Sequence, residues 1–184
     1  QRSFETREGE KRTVVELDRS IPSTQTKAAR LDPIAATVDG WESEGKPFGV
    51  MTWRGEVRHF EERPDRSVAL LERAQATWGE LSGQGASVFK PIADFGNGLR
   101  LEMSRPADSS AAYLRINGEH MGSPISAGLV SATTLQRGAR ITPASASGFT
   151  TRVENAFAKL RDEPDRLRRD VADMERQRAL LLPR

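Results

Sequence analysis

The sequence predicts an α+β fold, a mainly antiparallel sheet laid out as hairpin, helix and β-meander with a C-terminal helical tail. Three observations carry that reading. Between residues 47 and 121, short apolar and aromatic runs are separated by turn residues, Arg54-Gly55, Gly96-Asn97-Gly98 and Asn117-Gly118. One segment opening at Pro64 places Val68, Leu71, Ala74 and Trp78 on a single helical stripe. The last third carries apolar residues at alternating three- and four-residue steps. Strand runs set apart from helical runs are the mark of α+β rather than of a parallel α/β sheet.

Taken in order, residues 1–12 are polar, mixed in charge and without period, and read as a linker or arm. Residues 13–17 could add a short strand, and 27–38 a short helix interrupted near Pro33. Residues 1–46 are therefore expected to be an arm, 47–146 the α+β core and 147–184 the tail. Within the core, 48–53 and 56–60 flank the Arg54-Gly55 turn. The Pro64 helix ends before Gly83 or Gly85, and 86–95 and 99–104 flank Gly96-Asn97-Gly98. The alternation of Leu99, Leu101 and Met103 leaves one polar face, so one side of the sheet should pack on helices. Residues 111–116 then lead to Asn117-Gly118 as a type I′ turn, with the next strand near Glu119. The Gly-, Ser-, Ala- and Thr-rich stretch 122–147 could hold a further strand at 134–141.

In the tail, Val153, Phe157, Leu160, Leu167, Val171, Met174 and Leu181 form one seam, with Pro164 and Arg178 at two of its apolar positions. Proline lacks the amide donor and clashes with the preceding turn, so Pro164 is expected to separate two helices, 150–161 and 164–182. The first would pack Val153, Phe157 and Leu160 on the sheet. The second would dock a partner through Leu167, Val171, Met174 and Leu181.

Of the 184 residues, 36% are hydrophobic and 29% charged, a modest core under a heavily charged surface. No run reaches the roughly 18 apolar residues a membrane span needs. The chain begins at Gln1 without a signal-like segment, which fits a processed protein or a piece of a larger one. With no cysteine, disulfides, thiolate catalysis and cysteine-bound zinc drop out, and a reducing, cytoplasmic setting is expected. The net charge is only +2 beside a pI near 9.3, which reflects arginine usage rather than a strongly cationic surface.

Candidate chemistry is sparse. His59 and His120 stand far apart and outside any metal-binding spacing. Neither a G-x-x-x-x-G-K-[ST] nor a G-x-G-x-x-G string occurs, so the Gly96 and Gly98 pair reads as a turn. Glu61-Glu62 and Asp162-Glu163 fall where helices are expected to begin, a place that favours carboxylates. We expect no catalytic residue, metal or cofactor here. Arg161, Arg166, Arg168, Arg169, Arg176 and Arg178 are the candidate nucleic-acid contacts, since guanidinium pairs with phosphate bidentately. Acidic residues interleave with them, which equally describes an ion-paired solvent face. Trp41 and Trp53 could stack bases, whereas Trp78 on the helical stripe reads as core.

Several strings carry a resemblance: F-G-V-M-T-W-R-G-E-V, S-V-A-L-L-E-R-A, I-A-D-F-G-N-G-L-R-L-E-M, L-R-I-N-G-E-H and S-G-F-T-T-R-V-E-N-A-F-A-K-L. From Pro47 onward the chain resembles the C-terminal accessory region of very large helicases and helicase–methyltransferase fusions of phages, plasmids and other mobile elements. There a "Y-x-G-F-x-L" strand pair precedes "G-x-x-x-R-L-x-N-A-L" and a charged coiled helix. Phe95, Gly98 and 99–101 stand at the first motif, with Asn97 extra. Gly148, Arg152, Val153, Asn155 and Phe157 stand at the second. The resemblance implies a non-motor part of a DNA-processing protein, whose helicase or methylase motifs would lie upstream. It implies structural roles for Gly148 at the helix entry and for Arg152 and Asn155 between helix and sheet. The expected partners are the rest of a parent chain or a partner helix, with DNA as a further candidate and no membrane. The alternative is a protein-interaction module that uses the tail as a coiled coil.

Overall fold

A computed structural model describes residues 4–48, 50–108 and 110–181, with side chains from residue 9. Residues 1–3 of the expected arm, Gly49 of the expected first strand and 182–184 of the expected tail lie outside these. The chain is α+β. Its elements run α1 (Phe4–Ser43), β1 (Met51–Trp53), β2 (Glu56–Arg58), α2 (Arg63–Glu80), β3 (Gly85–Asp94), β4 (Leu99–Arg105), β5 (Ala111–Gly118), β6 (Ile125–Ser131), α3 (Ala132–Leu135) and α4 (Pro143–Leu181). All strand pairs are antiparallel, in the order β2-β1-β3-β4-β5-β6.

The turn residues did much of this locally. Arg54 and Gly55 both take positive φ, as a type I′ hairpin requires. Asp94 accepts from the Gly96 amide at 2.8 Å and starts the turn through Asn97 and Gly98. Pro91 sits in β3 at a register shift, where a missing amide donor does no harm. Leu99, Leu101 and Met103 of β4 face Leu114 and Ile116 of β5, and all are buried beneath α2 and α4. Pro64 lies in the first turn of α2, and Leu71, Ala74 and Trp78 are buried as their stripe predicts.

Four sequence expectations need correction. The stretch 4–43 is one continuous helix that passes through both Pro22 and Pro33, not an arm with a strand at 13–17 and a broken helix. Asn117 and Gly118 are the last residues of β5, paired with Arg100 and Leu99, and the chain turns only afterwards, reaching β6 at Ile125 rather than Glu119. Gly118 is there for room: a Cβ would lie 2.9 Å from the Gly98 carbonyl. The expected strand at 134–141 is replaced by the short α3 and a connection, with Ser131 capping α3 through the Thr133 amide at 3.3 Å.

The fourth correction concerns the tail, which is a single helix through Pro164. It starts at Pro143, where Thr142 and Ser145 cap each other's amides at 3.0 Å, so Gly148 lies inside the helix and not at its entry. An interior proline costs about 3 kcal/mol. Burying Leu160, Leu167 and Val171, at about 1.5–3 kcal/mol for each side chain, outweighs that cost. Pro164 itself is buried in the same seam.

Candidate functional site

What the tail packs against is α1. Along α1, Val14, Leu17, Ile21, Thr24, Ala28, Leu31, Ala35 and Val38 alternate three- and four-residue steps, and each is buried or half-buried. That is the same period as the α4 seam, and the two helices make the most extensive contact of any pair of elements. Three cross-helix ion pairs fix an antiparallel register: Asp18 with Arg178, Asp32 with Arg168 and Glu42 with Arg161. Exposed pairs of this kind add little to stability, so the seam stabilises and the charges set alignment.

The tail residues expected to dock a partner therefore divide. Leu167 and Val171 are buried within the chain, while Met174 and Leu181 are half-buried. Leu17 and Val171 are buried but stand outside the continuous core that begins at Ala28 and ends at Leu167. Among the described residues, none beyond those two joins that core. There the helices form a two-helix stalk extending on the order of 20 Å, from about 1.5 Å per residue over 168–181. Where α4 ends beside α1, Val15 and Leu180 are exposed, by 57% and 83%, and α1 runs on to Phe4.

An aromatic cluster joins the core half of the helix pair to the sheet. Phe157 of α4 meets Trp41 of α1 edge-on at 5.1 Å, Phe95 after β3 edge-on at 5.0 Å, and Phe48 at 5.3 Å. Phe48 holds a positive φ of 65° in the α1–β1 connection, which a buried ring in this cluster sustains. The Arg66 guanidinium lies 5.0 Å from the Phe48 ring centroid and is 3% exposed. Burial pulls its pKa below the usual arginine value, partly offset by Glu154. Arg63 reaches from α2 to α4, donating to Glu154 at 2.7 Å and Ser147 at 2.7 Å.

The six candidate nucleic-acid arginines are exposed or half-exposed, and five are engaged with carboxylates. Arg161 bonds Glu42 and Asp162, Arg166 bonds Glu163 and Asp170, Arg168 bonds Asp32, Arg176 bonds Asp173 and Arg178 bonds Asp18. Arg169 is exposed. Hydrogen bonds from the partner arginines hold the Asp32, Asp162 and Glu163 carboxyls below their usual range. Asp162 and Glu163 stand mid-helix and serve as ion-pair partners, not at a helix start. Asn155 and Arg152 are exposed on α4, and Arg152 donates to the Gly148 carbonyl at 2.9 Å. His59 and His120 are exposed, one beyond β2 and one beyond β5. Among the described residues, no three His, Asp or Glu side chains gather as a metal ion would need, and no helix is long and apolar enough to cross a membrane.

Sequence reasoning missed the α1 seam. Its signal was present in the 17-21-24-28-31 spacing, masked by two prolines and by Thr24 and Ala28 at seam positions. No protein-family model matches the chain, and neither a curated protein nor a solved structure does.

Proposed function

We propose that this chain is a non-catalytic accessory module of a large DNA-processing protein of the helicase or helicase–methyltransferase type, working in the cytoplasm. It docks against the motor by the end of its helix pair and helps hold DNA. The observation that carries this reading is the helix pair, rooted in the sheet by the Trp41–Phe48–Phe95–Phe157 cluster and bearing exposed Val15 and Leu180 at the tip of α4. A helix pair with exposed apolar residues at the tip of its shorter reach, α4, suits a contact made at a distance from the globular part. The sequence resemblance supplies the kind of parent. An interaction module working through a partner helix would use the same tip, but with α4 already seated on α1 that helix would have to join the pair rather than replace a member.

The test places charge on the tip, because removing 147–184 would strip Phe149, Val153 and Phe157 from the core. In the longer polypeptide, Val15→Asp with Leu180→Asp should lower DNA-stimulated ATP turnover while leaving the circular dichroism unchanged. Unaltered DNA affinity and turnover in that variant would defeat the reading.

A further inference from the structure

The open side of the sheet uses its charges internally. Tyr113 and Arg115 of β5 alternate there with the buried Ala112, Leu114 and Ile116, and Arg115 and Arg100 both donate to Glu102, at 2.8 and 3.4 Å. On the helix side one guanidinium is placed differently. Met51 and Trp53 of β1 share that side with Glu56 and Arg58 of β2, because cross-strand partners and alternate residues lie on one face. Arg73 of α2 meets them there, on the buried stripe of Arg66, Leu70 and Thr77.

Arg73 is 5% exposed, and its Nη1 is buried without a hydrogen-bond acceptor among the described residues. Its guanidinium carbon stands 5.8 Å from the Trp53 ring centroid, a contact that offsets part of the lost hydration but satisfies no N–H fork. Burial pulls its pKa below the usual arginine value, and Glu56 and then Glu72 oppose that fall. Glu56, however, is ion-paired with Arg58, both about half exposed, and Glu72 is exposed. A buried charge is ordinarily paired or hydrogen-bonded, because its hydration has been given up.

The same residues enclose a cleft. Among the described residues the β1–β2 hairpin meets β3 through one residue pair, Thr52 with Asp94, and between the hairpin and α2 lies a space of about 200 Å³. Trp53, Glu56, Arg58, Ala69, Glu72 and Arg73 line it. The formal charges of this lining cancel, but they are not placed alike. Arg73 sits in the wall, where the low dielectric strengthens attraction, while the two carboxylates stand at the rim, where water and salt screen them. A ligand with one negative charge therefore gains from Arg73 with little repulsion. A doubly charged phosphate meets the rim carboxylates with twice the penalty. A planar carboxylate also matches the paired donors of a guanidinium.

We propose that the cleft between α2 and the β1–β2 hairpin binds a small monocarboxylic acid, its carboxylate held by Arg73 and its carbon body lying along Trp53. The site is independent of the DNA-processing reading and of the α4 arginines.

The whole chain labelled with 5-fluorotryptophan gives one fluorine signal each from Trp41, Trp53 and Trp78, and Trp53→Phe assigns the one in the cleft. Sodium acetate is the probe, titrated with ionic strength held constant by sodium chloride. The Trp53 signal should shift and saturate while the other two hold still, and sodium phosphate should bind more weakly. Arg73→Gln should weaken acetate binding by at least about tenfold, through loss of the charge-assisted pair. Glu72→Gln changes an exposed side chain and leaves the fold alone, and it should tighten binding roughly two- to fivefold. Arg73→Met gives up a buried unpaired charge, so it should melt no lower than the parent. A Trp53 signal that drifts without saturating, acetate binding that survives Arg73→Gln, or binding that Glu72→Gln leaves unchanged or weakens would overturn the site. Phosphate binding more tightly than acetate would overturn its ligand class. An Arg73→Met chain that melts well below the parent would also overturn the inference, since the guanidinium would then have its partners within the fold.

Discussion

Phe157→Ala should remove a large share of the stability of this chain. The ring is buried where α1, α4 and the end of β3 meet, and it contacts three other rings at 5.0 to 5.3 Å. Truncating a buried phenylalanine costs about 3–5 kcal/mol through lost transfer energy and the cavity left behind. Domains of this kind hold only about 5–15 kcal/mol in all. Phe157→Leu keeps much of the apolar volume but gives up the ring pairs, so about 1–2 kcal/mol should go, from pair energies of about 0.5–1.5 kcal/mol that overlap in a cluster. Urea unfolding followed by far-ultraviolet circular dichroism measures both. Because the cluster couples the helix pair to the sheet, Phe157→Ala should also split the transition, with the helix pair and the sheet melting apart. A loss below about 1 kcal/mol, or one unchanged cooperative transition, would refute the view that these rings are the joint.

Gly118→Ala should destabilise by about 1–3 kcal/mol, because the added methyl meets the Gly98 carbonyl at 2.9 Å and backbone must move. Gly79→Ala, with open space around the new Cβ inside α2, should instead gain about 0.5–1 kcal/mol; thermal melts that rank the pair the other way would count against the packing described. The Asp32–Arg168 pair predicts a pH dependence. Folding holds the Asp32 carboxyl below its unfolded value, so the contribution is complete above the ordinary carboxylate range and is lost as pH falls through the lower folded value. Asp162 and Glu163 act in the same direction. Asp32→Asn should therefore flatten the acid limb of a stability–pH curve, more at low salt than at high; an identical limb in the two proteins would contradict it.

The parts of this fold that read directly from the sequence are those whose cause is local. Arg54-Gly55 and Gly96-Asn97-Gly98 force positive φ and hence turns, and Pro64 with the stripe through Trp78 marks α2. What did not read is set by contacts distant in sequence. Pro22, Pro33 and Pro164 break helices by local rules, yet α1 and α4 run through them because each helix supplies the other's apolar partner. Asn117-Gly118 carries a turn signal, but the close Gly98 carbonyl and the bond from Asn117 to Glu102 hold it in β5. The candidate site followed the same division. The α4 seam and its arginines were visible, while the residues that occupy them, Leu31, Asp32, Glu42 and Asp18, belong to a helix that the prolines concealed. The outward pattern of Tyr113 and Arg115 was present as alternation, but the convergence of two arginines on Glu102 depends on strand register.

That α4 has its partner in α1 of the same chain is directly measurable, because the sequence has no cysteine. Asp18→Cys and Arg178→Cys would carry one spin label on each helix of the stalk, for a distance measurement by pulsed electron resonance in the whole chain. With the two helices paired within one chain, a single short, narrow distance is expected, and it persists when labelled protein is diluted with unlabelled. A long or broad distribution, or a short distance that fades on dilution because the labels belonged to different molecules, would contradict it.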